Sequence, residues 1–330
     1  MTLPAHHRPL LASLAVLAAL YALAAFRYAD AGFFSLHVFL NLLRDNAVLG
    51  IVAVGMTFVI LSGGIDLSVG AVASASSVLV GVLIMNAGMP APLALAAAVA
   101  LGTAYGAGMG AIIHASGLKP FIATLAGMFL VRGLGYVLRL EPIAIDDPGH
   151  ARLAAIALPI FGLGDLAVTA IVFLGVVAAG SGVAARTPFG RRVYAVGGSE
   201  DAARLMGLPV ARTKVGVYAI SGFCAALAGG VLTLDLSSGS HIGGIGLELD
   251  AIAAVVIGGT LLSGGVGGVP GTLVGVLVVG ILRTAVTDYE GLSSGLTKAA
   301  IGAALLLLVL VQRVLSRRGA NPAATPAARA

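Results

Sequence analysis

The sequence predicts an all-α, polytopic membrane protein with about ten transmembrane helices, some of them broken by glycine. Three observations carry that prediction. Of the 330 residues, 59% are hydrophobic and 10% charged, where a soluble domain has about 25% charged residues. The mean hydropathy is +1.06. The apolar runs are continuous, as in 166–185 and 215–234, and do not alternate as barrel strands would. Lipid offers no partner to a backbone N–H or C=O, so such runs cross as helices. Finally, the runs are punctuated by glycine clusters, most clearly in 55–70, GMTFVILSGGIDLSVG.

Helices are expected near 10–29, 47–61, 67–86, 91–114, 121–138, 166–186, 214–235, 249–262, 269–287 and 296–313. The first follows His6, His7 and Arg8, and Ala22-Leu23-Ala24 resembles a signal-peptidase site. Its apolar run is longer than a signal core, so it reads as a retained span. Segment 33–46 sets Phe33, Phe34, Leu36, Phe39, Leu40 and Leu43 against His37, Asn41 and Arg44. It is expected to lie along the outer interface. The pieces 47–61 and 249–262 are short, and they run into Ser62-Gly63-Gly64 and Ser263-Gly264-Gly265. Short glycine-interrupted segments point to discontinuous helices at a transport site, which makes these six residues candidate breaks or gates. Gly102, Gly106 and Gly110 recur every four residues, and Gly70, Ser74, Ser77 and Gly81 share one helical face. Such rows let helices approach closely in lipid, or else wall a narrow polar passage. The lone Cys224 excludes a disulfide framework and reads as a small packing residue.

Charge sets the sides. Arg186, Arg191, Arg192, Arg204, Arg212 and Lys214 surround the loop 187–213, and Arg313, Arg317 and Arg318 follow the last span. Arg8 and Lys119 fall on the same side if the spans alternate. Opposite loops carry Asp30, Asp45, Glu141, Asp146, Asp147, Asp165, Glu248, Asp288 and Glu290. The positive-inside rule then puts both termini and the 187–213 loop in the cytoplasm, and an even number of spans agrees. The whole of 1–330 reads as one transmembrane domain with cytoplasmic tails at 1–9 and 314–330. The net charge of +5 is accounted for by these loops. Without Trp or a basic aromatic patch, no nucleic-acid partner is expected.

Catalytic and cofactor signatures are missing. There is no GxxxxGK[ST] and no HExxH, and the six histidines lack metal-ligand spacing. No metal, no cofactor and no enzymatic activity are expected.

The cytoplasmic loop does carry a recognisable element. In Ser199–Gly207, SEDAARLMG, Ser199 suits an N-cap and Glu200 and Asp201 suit the first turn. Gly207 suits the end, and Pro209 blocks continuation. Here the chain resembles the membrane permease subunits of ATP-binding-cassette sugar importers of the ribose/galactose type, the galactofuranose importers among them. Glu200, Ala202, Ala203 and Gly207 are similar to their EAA–G coupling motif, with one extra residue after the glutamate. GMTFVILSGGIDLSVG, FIATLAGMFLVRG at 121–133 and LDAIAAVVIGGTLLSGGVGG at 249–268 resemble further blocks. The resemblance covers roughly 40–315 and implies a permease domain that moves a monosaccharide, with galactofuranose as a candidate, by alternating access. It implies three kinds of partner: cytoplasmic ATP-binding subunits that dock on 187–213 and hydrolyse ATP, a periplasmic sugar-binding protein, and a second permease chain, identical or different. An ion-gradient-driven secondary transporter is the alternative. It would favour carboxylates at mid-membrane, whereas the acidic residues are expected near span ends.

Single residues follow. Asp66 is placed to cap the third span, with a gate or solute contact as its other role, and Ser68 shares that choice. Arg132 lies within a span near its outer end, where it faces function or snorkels to headgroups. Asp250 is placed to cap the eighth span, and with Glu248 and Arg132 it is a candidate lining of an outer vestibule. Arg283 is expected to pair with Asp288.

Overall fold

The computed structural model describes residues 8–28, 33, 35–160 and 164–284, with a few positions between 295 and 306. Within them the chain is helical as predicted, with thirteen helices and four strands of two or three residues. The first helix is α1, Arg8–Arg27. Next come α2, Leu36–Asp45, and α3, Ala47–Leu61, then α4, Val69–Met85, α5, Ala91–Ser116, and α6, Pro120–Leu138. Strand β1, Ile143–Ala144, helix α7, Pro148–Ala154, and the β2–β3 pair, Ala157–Pro159 with Asp165–Ala167, lead to α8, Val168–Arg186. Then follow α9, Pro188–Gly198, α10, Glu200–Leu205, α11, Val210–Leu236, β4, Ser238–Gly239, α12, Leu247–Ile257, and α13, Val269–Thr284. The span expected at 296–313 lies outside the described residues. Among the described residues four helices, α5, α6, α8 and α11, are long and apolar enough to cross a membrane unaided, and the bent pair α2–α3 is so only if it forms one span.

The longest helix, α11, is the hub. It packs against α5, α3 and α4, and the glycine row on α5 explains how closely. A Cβ at Gly102 would stand 2.4 Å from Ala226 Cβ, and one at Gly106 2.1 Å from the Tyr218 carbonyl oxygen. At Gly110 it would stand 2.8 Å from Val215 Cα. The row is therefore a helix-packing face. Helix α3 is apolar on every side, and all of it except Val48 is buried, as a helix without a polar stripe must be. Cys224 is buried against Gly55, which is the packing role its sequence context suggests.

Two features of the layout matter. The amphipathic segment forms a helix of its own. It is α2, joined to α3 at Asn46 with a 57° bend, and Arg44 pairs with Asp235 at 3.0 Å. And α11 does not connect to α12 by an outer loop alone. After β4 pairs with β1, residues 240–246 descend along α4. Ser77 Oγ donates to the Ser240 carbonyl oxygen and accepts from its N–H, both at 3.1 Å. Gly244 N–H donates to Ser74 Oγ at 3.0 Å. The small-residue face of α4 is thus the bed of a re-entrant segment.

Depth follows from the packing. Gly102, midway along the 26-residue α5, faces both Val72 and Ala226. The first turn of α4 is therefore level with the middle of the long helices. Gly70 faces Gly244 and Glu248, so α12 also begins at mid-depth. With 11 residues it reaches about 16 Å, half a crossing.

Gly106→Leu must push a side chain into the α11 backbone. We expect it to destabilise the protein by about 3 kcal/mol or more, read as a lowered melting temperature in detergent. Gly108→Leu, where a Cβ meets nothing within 4 Å, is expected to leave it unchanged.

Candidate functional site

The two glycine breaks are far apart in sequence and meet in space. Helix α3 ends at Leu61, and α12 ends at Ile257 ahead of the turn that holds Ser263, Gly264 and Gly265. Gly265 N–H donates to the Leu61 carbonyl oxygen at 2.9 Å. Gly63, Gly264 and Gly265 have φ of 81°, 85° and 74°, backbone angles that disfavour any side chain. Ser62 folds its hydroxyl back onto the Val59 carbonyl at 2.8 Å, ending α3 locally. The α9–α10 pair closes onto this junction. Gly197 lies so near that a Cβ there would sit 1.7 Å from the Leu61 carbonyl oxygen. Tyr194 donates its hydroxyl to the Gly267 carbonyl at 2.9 Å. Beside Tyr194 a cavity of about 510 Å³ is lined by Ser181, Gly258, Val269 and Pro270 among others. Helix α9, Tyr194 and Gly197 were not singled out by sequence reasoning. The only signal was the Gly197-Gly198 pair, which reads equally well as loop.

Helix α10 forms where expected. Ser199 caps it by accepting from Ala202 N–H at 3.2 Å. Gly207, at φ 75°, ends it, and Leu208 N–H returns to the Ala203 carbonyl at 3.0 Å. Ala203 is fully buried with Val196 and Val210, while Ala202 is exposed. Glu200 bridges Arg204 at 3.1 Å and Lys214 at 2.7 Å. Partial burial raises its pKa, but hydrogen bonds and charge from Lys214 and Arg204 outweigh that and hold the carboxyl below its ordinary value. A depressed folded pKa stabilises the helix above the unfolded value, and the effect is lost as pH falls through the folded one. At this exposure the effect is small. Leu205 and Met206 are 89% and 67% exposed, two large apolar side chains presented at the tip.

At mid-depth the structure revises the expected roles. Asp66 does not cap α4: Ser68 occupies the N-cap position and makes no side-chain cap bond. Instead Asp66 Oδ1 accepts from Ser68 N–H at 2.9 Å and Ser68 Oγ at 2.6 Å, and Oδ2 accepts from Ser221 Oγ at 2.7 Å. Thr124 Oγ1 accepts from Leu67 N–H and donates to the Ile65 carbonyl, both at 3.1 Å. The carboxylate therefore braces an irregular strand between α4 and α11. Ser221 and Thr124, single hydroxyls in apolar runs, gave no sign of this in the sequence. Glu248 is buried against Gly70, and its Oε2 has no hydrogen-bond partner among the described residues. Asp250 is not a cap either. Helix α12 starts at Leu247 behind Gly246 at φ 84°, and Asp250 pairs with Arg283 at 3.0 Å. Asp288, the partner expected for Arg283, lies outside the described residues. Arg132 is half-buried on α6 with no partner for Nη2. No hydrogen bond or ion pair joins it to Glu248 or Asp250 among the described residues.

Removing the brace leaves Ser221 and the Ser68 donors buried without an acceptor. We expect Asp66→Ala to cost about 3 kcal/mol and Asp66→Asn, which keeps one acceptor, clearly less, by thermal unfolding in detergent.

The family model described as branched-chain amino acid transport system / permease component matches residues 38–310. The chain is 46% identical over 298 residues, 90% of each chain, to the inner membrane ABC transporter permease protein YjfF of Escherichia coli (strain K12). It is 42% identical over 282 residues to the ribose import permease protein RbsC of Bacillus subtilis (strain 168), covering 83% of this chain and 84% of that one. It is 39% identical over 287 residues to the fructose import permease protein FruG of Bifidobacterium longum (strain NCC 2705), covering 85% and 84%. No solved structure matches. With helix breaks that meet at one junction and a family match across most of its length, the chain belongs to the permease-component family and, within it, resembles the sugar-importing ATP-binding-cassette permeases.

Proposed function

We propose that this chain is the transmembrane permease subunit of an ATP-binding-cassette importer. It carries a monosaccharide, with galactofuranose as first candidate, into the cell across the bacterial inner membrane by alternating access. The observation that carries the reading is the clasp of α9–α10 onto both glycine breaks. A push on α10 reaches Leu61 through Gly197 and reaches 265–267 through Tyr194. Both breaks sit where α3 and α12 end, so the push acts on the two discontinuous helices at once.

The arrangement assigns the work. In this reading the chain has ten spans, the last in 296–313, and the basic residues from Arg186 to Lys214 keep the 187–213 loop and both termini cytoplasmic. Leu205 and Met206 are the docking knobs for a cytoplasmic ATP-binding subunit. Ala203 and Gly207 fix the helix that presents them, and Glu200 ties it to α11 through Lys214. ATP is hydrolysed in that partner. A periplasmic sugar-binding protein delivers the solute to the opposite end, and a second permease chain completes the path. The sugar panel to test follows the relatives' printed names, ribose and fructose, with galactofuranose added from the sequence resemblance.

Gradient-driven secondary transport gains one observation, since Asp66 and Glu248 stand at mid-depth and not at span ends. Against it, both carboxylate oxygens of Asp66 are engaged by structural hydrogen bonds, and family membership favours an ATP-driven partner.

Affinity purification tests the reading. Leu205→Asp with Met206→Asp is expected to reduce retention of the ATP-binding subunit by about 30-fold, as loss of an interface hot spot does. Tyr194→Phe is expected to keep the subunit bound while lowering sugar taken up per ATP hydrolysed. Sugar uptake by this chain alone, driven by a proton gradient, would refute the proposal.

A further inference from the structure

The re-entrant segment between β4 and α12 exposes one side of itself at mid-depth. Ile242, Ile245 and Leu249 are 70%, 54% and 64% exposed, on the face turned away from α4. Gly243, also exposed, lies among them. This is irregular backbone: the N–H groups of Gly243 and Gly246 find no acceptor among the described residues. In hydrocarbon each such donor costs several kcal/mol, and non-helical backbone at that depth survives only inside protein or against water. The α4 side is closed by Ser74, Ser77 and Gly70, so the open side cannot face lipid. It differs from the exposed apolar residues of the long helices. Leu101 on α5, for instance, is 59% exposed, but it belongs to continuous helix whose backbone is satisfied internally.

We propose that Ile242, Ile245 and Leu249 line the water-filled solute pathway at the level where α4 and α12 begin. The wall they make is apolar and uncharged. It offers no site to hold an ion and lets a neutral polyhydroxylated solute pass without binding tightly, which passage requires. Gly243 and Gly246 add N–H donors without an acceptor among the described residues, suited to solute hydroxyls. This assignment rests on the permease reading, but it concerns a different surface from α10.

The chain has a single cysteine, Cys224, so Cys224→Ala gives a cysteine-free background. In that background Ile245→Cys, Leu249→Cys and, as lipid-facing reference, Leu101→Cys are made in the full chain and assayed in native membranes containing its partners. The probe is a membrane-impermeant cationic methanethiosulfonate. Ile245→Cys and Leu249→Cys are expected to react at least about tenfold faster than Leu101→Cys, because the reagent travels only through water. Two positions keep the test open if one variant fails to fold. Reaction at both no faster than at Leu101→Cys overturns the pathway assignment. If the ATP-binding subunit still co-purifies in that case, the permease reading stands and only the placement of the path falls.

Discussion

Everything in this molecule follows from one constraint: backbone that leaves the helical path inside a membrane must be satisfied by the protein itself. The strand 62–68 is held by the Asp66 carboxylate, Ser221 and Thr124. The descending segment 240–246 is held by two serine hydroxyls on α4. The turn after α12 is held by the Leu61 carbonyl. Remove those partners and α4 and α12 could not begin at mid-depth. A polar solute would then meet only continuous apolar helices.

The same constraint explains why the breaks are mechanically connected. A helix end in water is free to move alone, whereas one satisfied by its neighbour moves with it. Because Gly265 borrows its acceptor from Leu61, the two interrupted helices share an end. Because Gly197 admits no side chain against that carbonyl, α9 rides on the shared end. The 27-residue α11 runs about 40 Å between α10 and β4. It gives these parts a rigid reference against which to move.

Much of this was legible in the residues. The composition predicted the helical class, and the boundary at 47–61 agrees with α3 residue for residue. Ser199 and Gly207 marked α10, because capping chemistry is local. The glycine row on α5 announced close packing but not its partner. What stayed hidden was long-range: the pairing of Asp66 with a serine 155 positions away, the meeting of two breaks, and the descent of 240–246. Residues 237–246, SSGSHIGGIG, read as an outer loop because nothing local distinguishes a glycine-rich turn in water from one packed on serines. Asp66 and Asp250 were misplaced as caps for the same reason. Helix starts were read from adjacent polar residues, whereas α4 and α12 begin where tertiary packing stops the irregular strand.

The central claim is that α9–α10 and both breaks respond to nucleotide as one body. Hydrogen exchange on the assembled transporter, with and without a non-hydrolysable ATP analogue, tests it most directly. The account predicts that peptides covering 61–66, 194–206 and 262–268 change protection together. A change confined to 194–206, with both breaks silent, would contradict it.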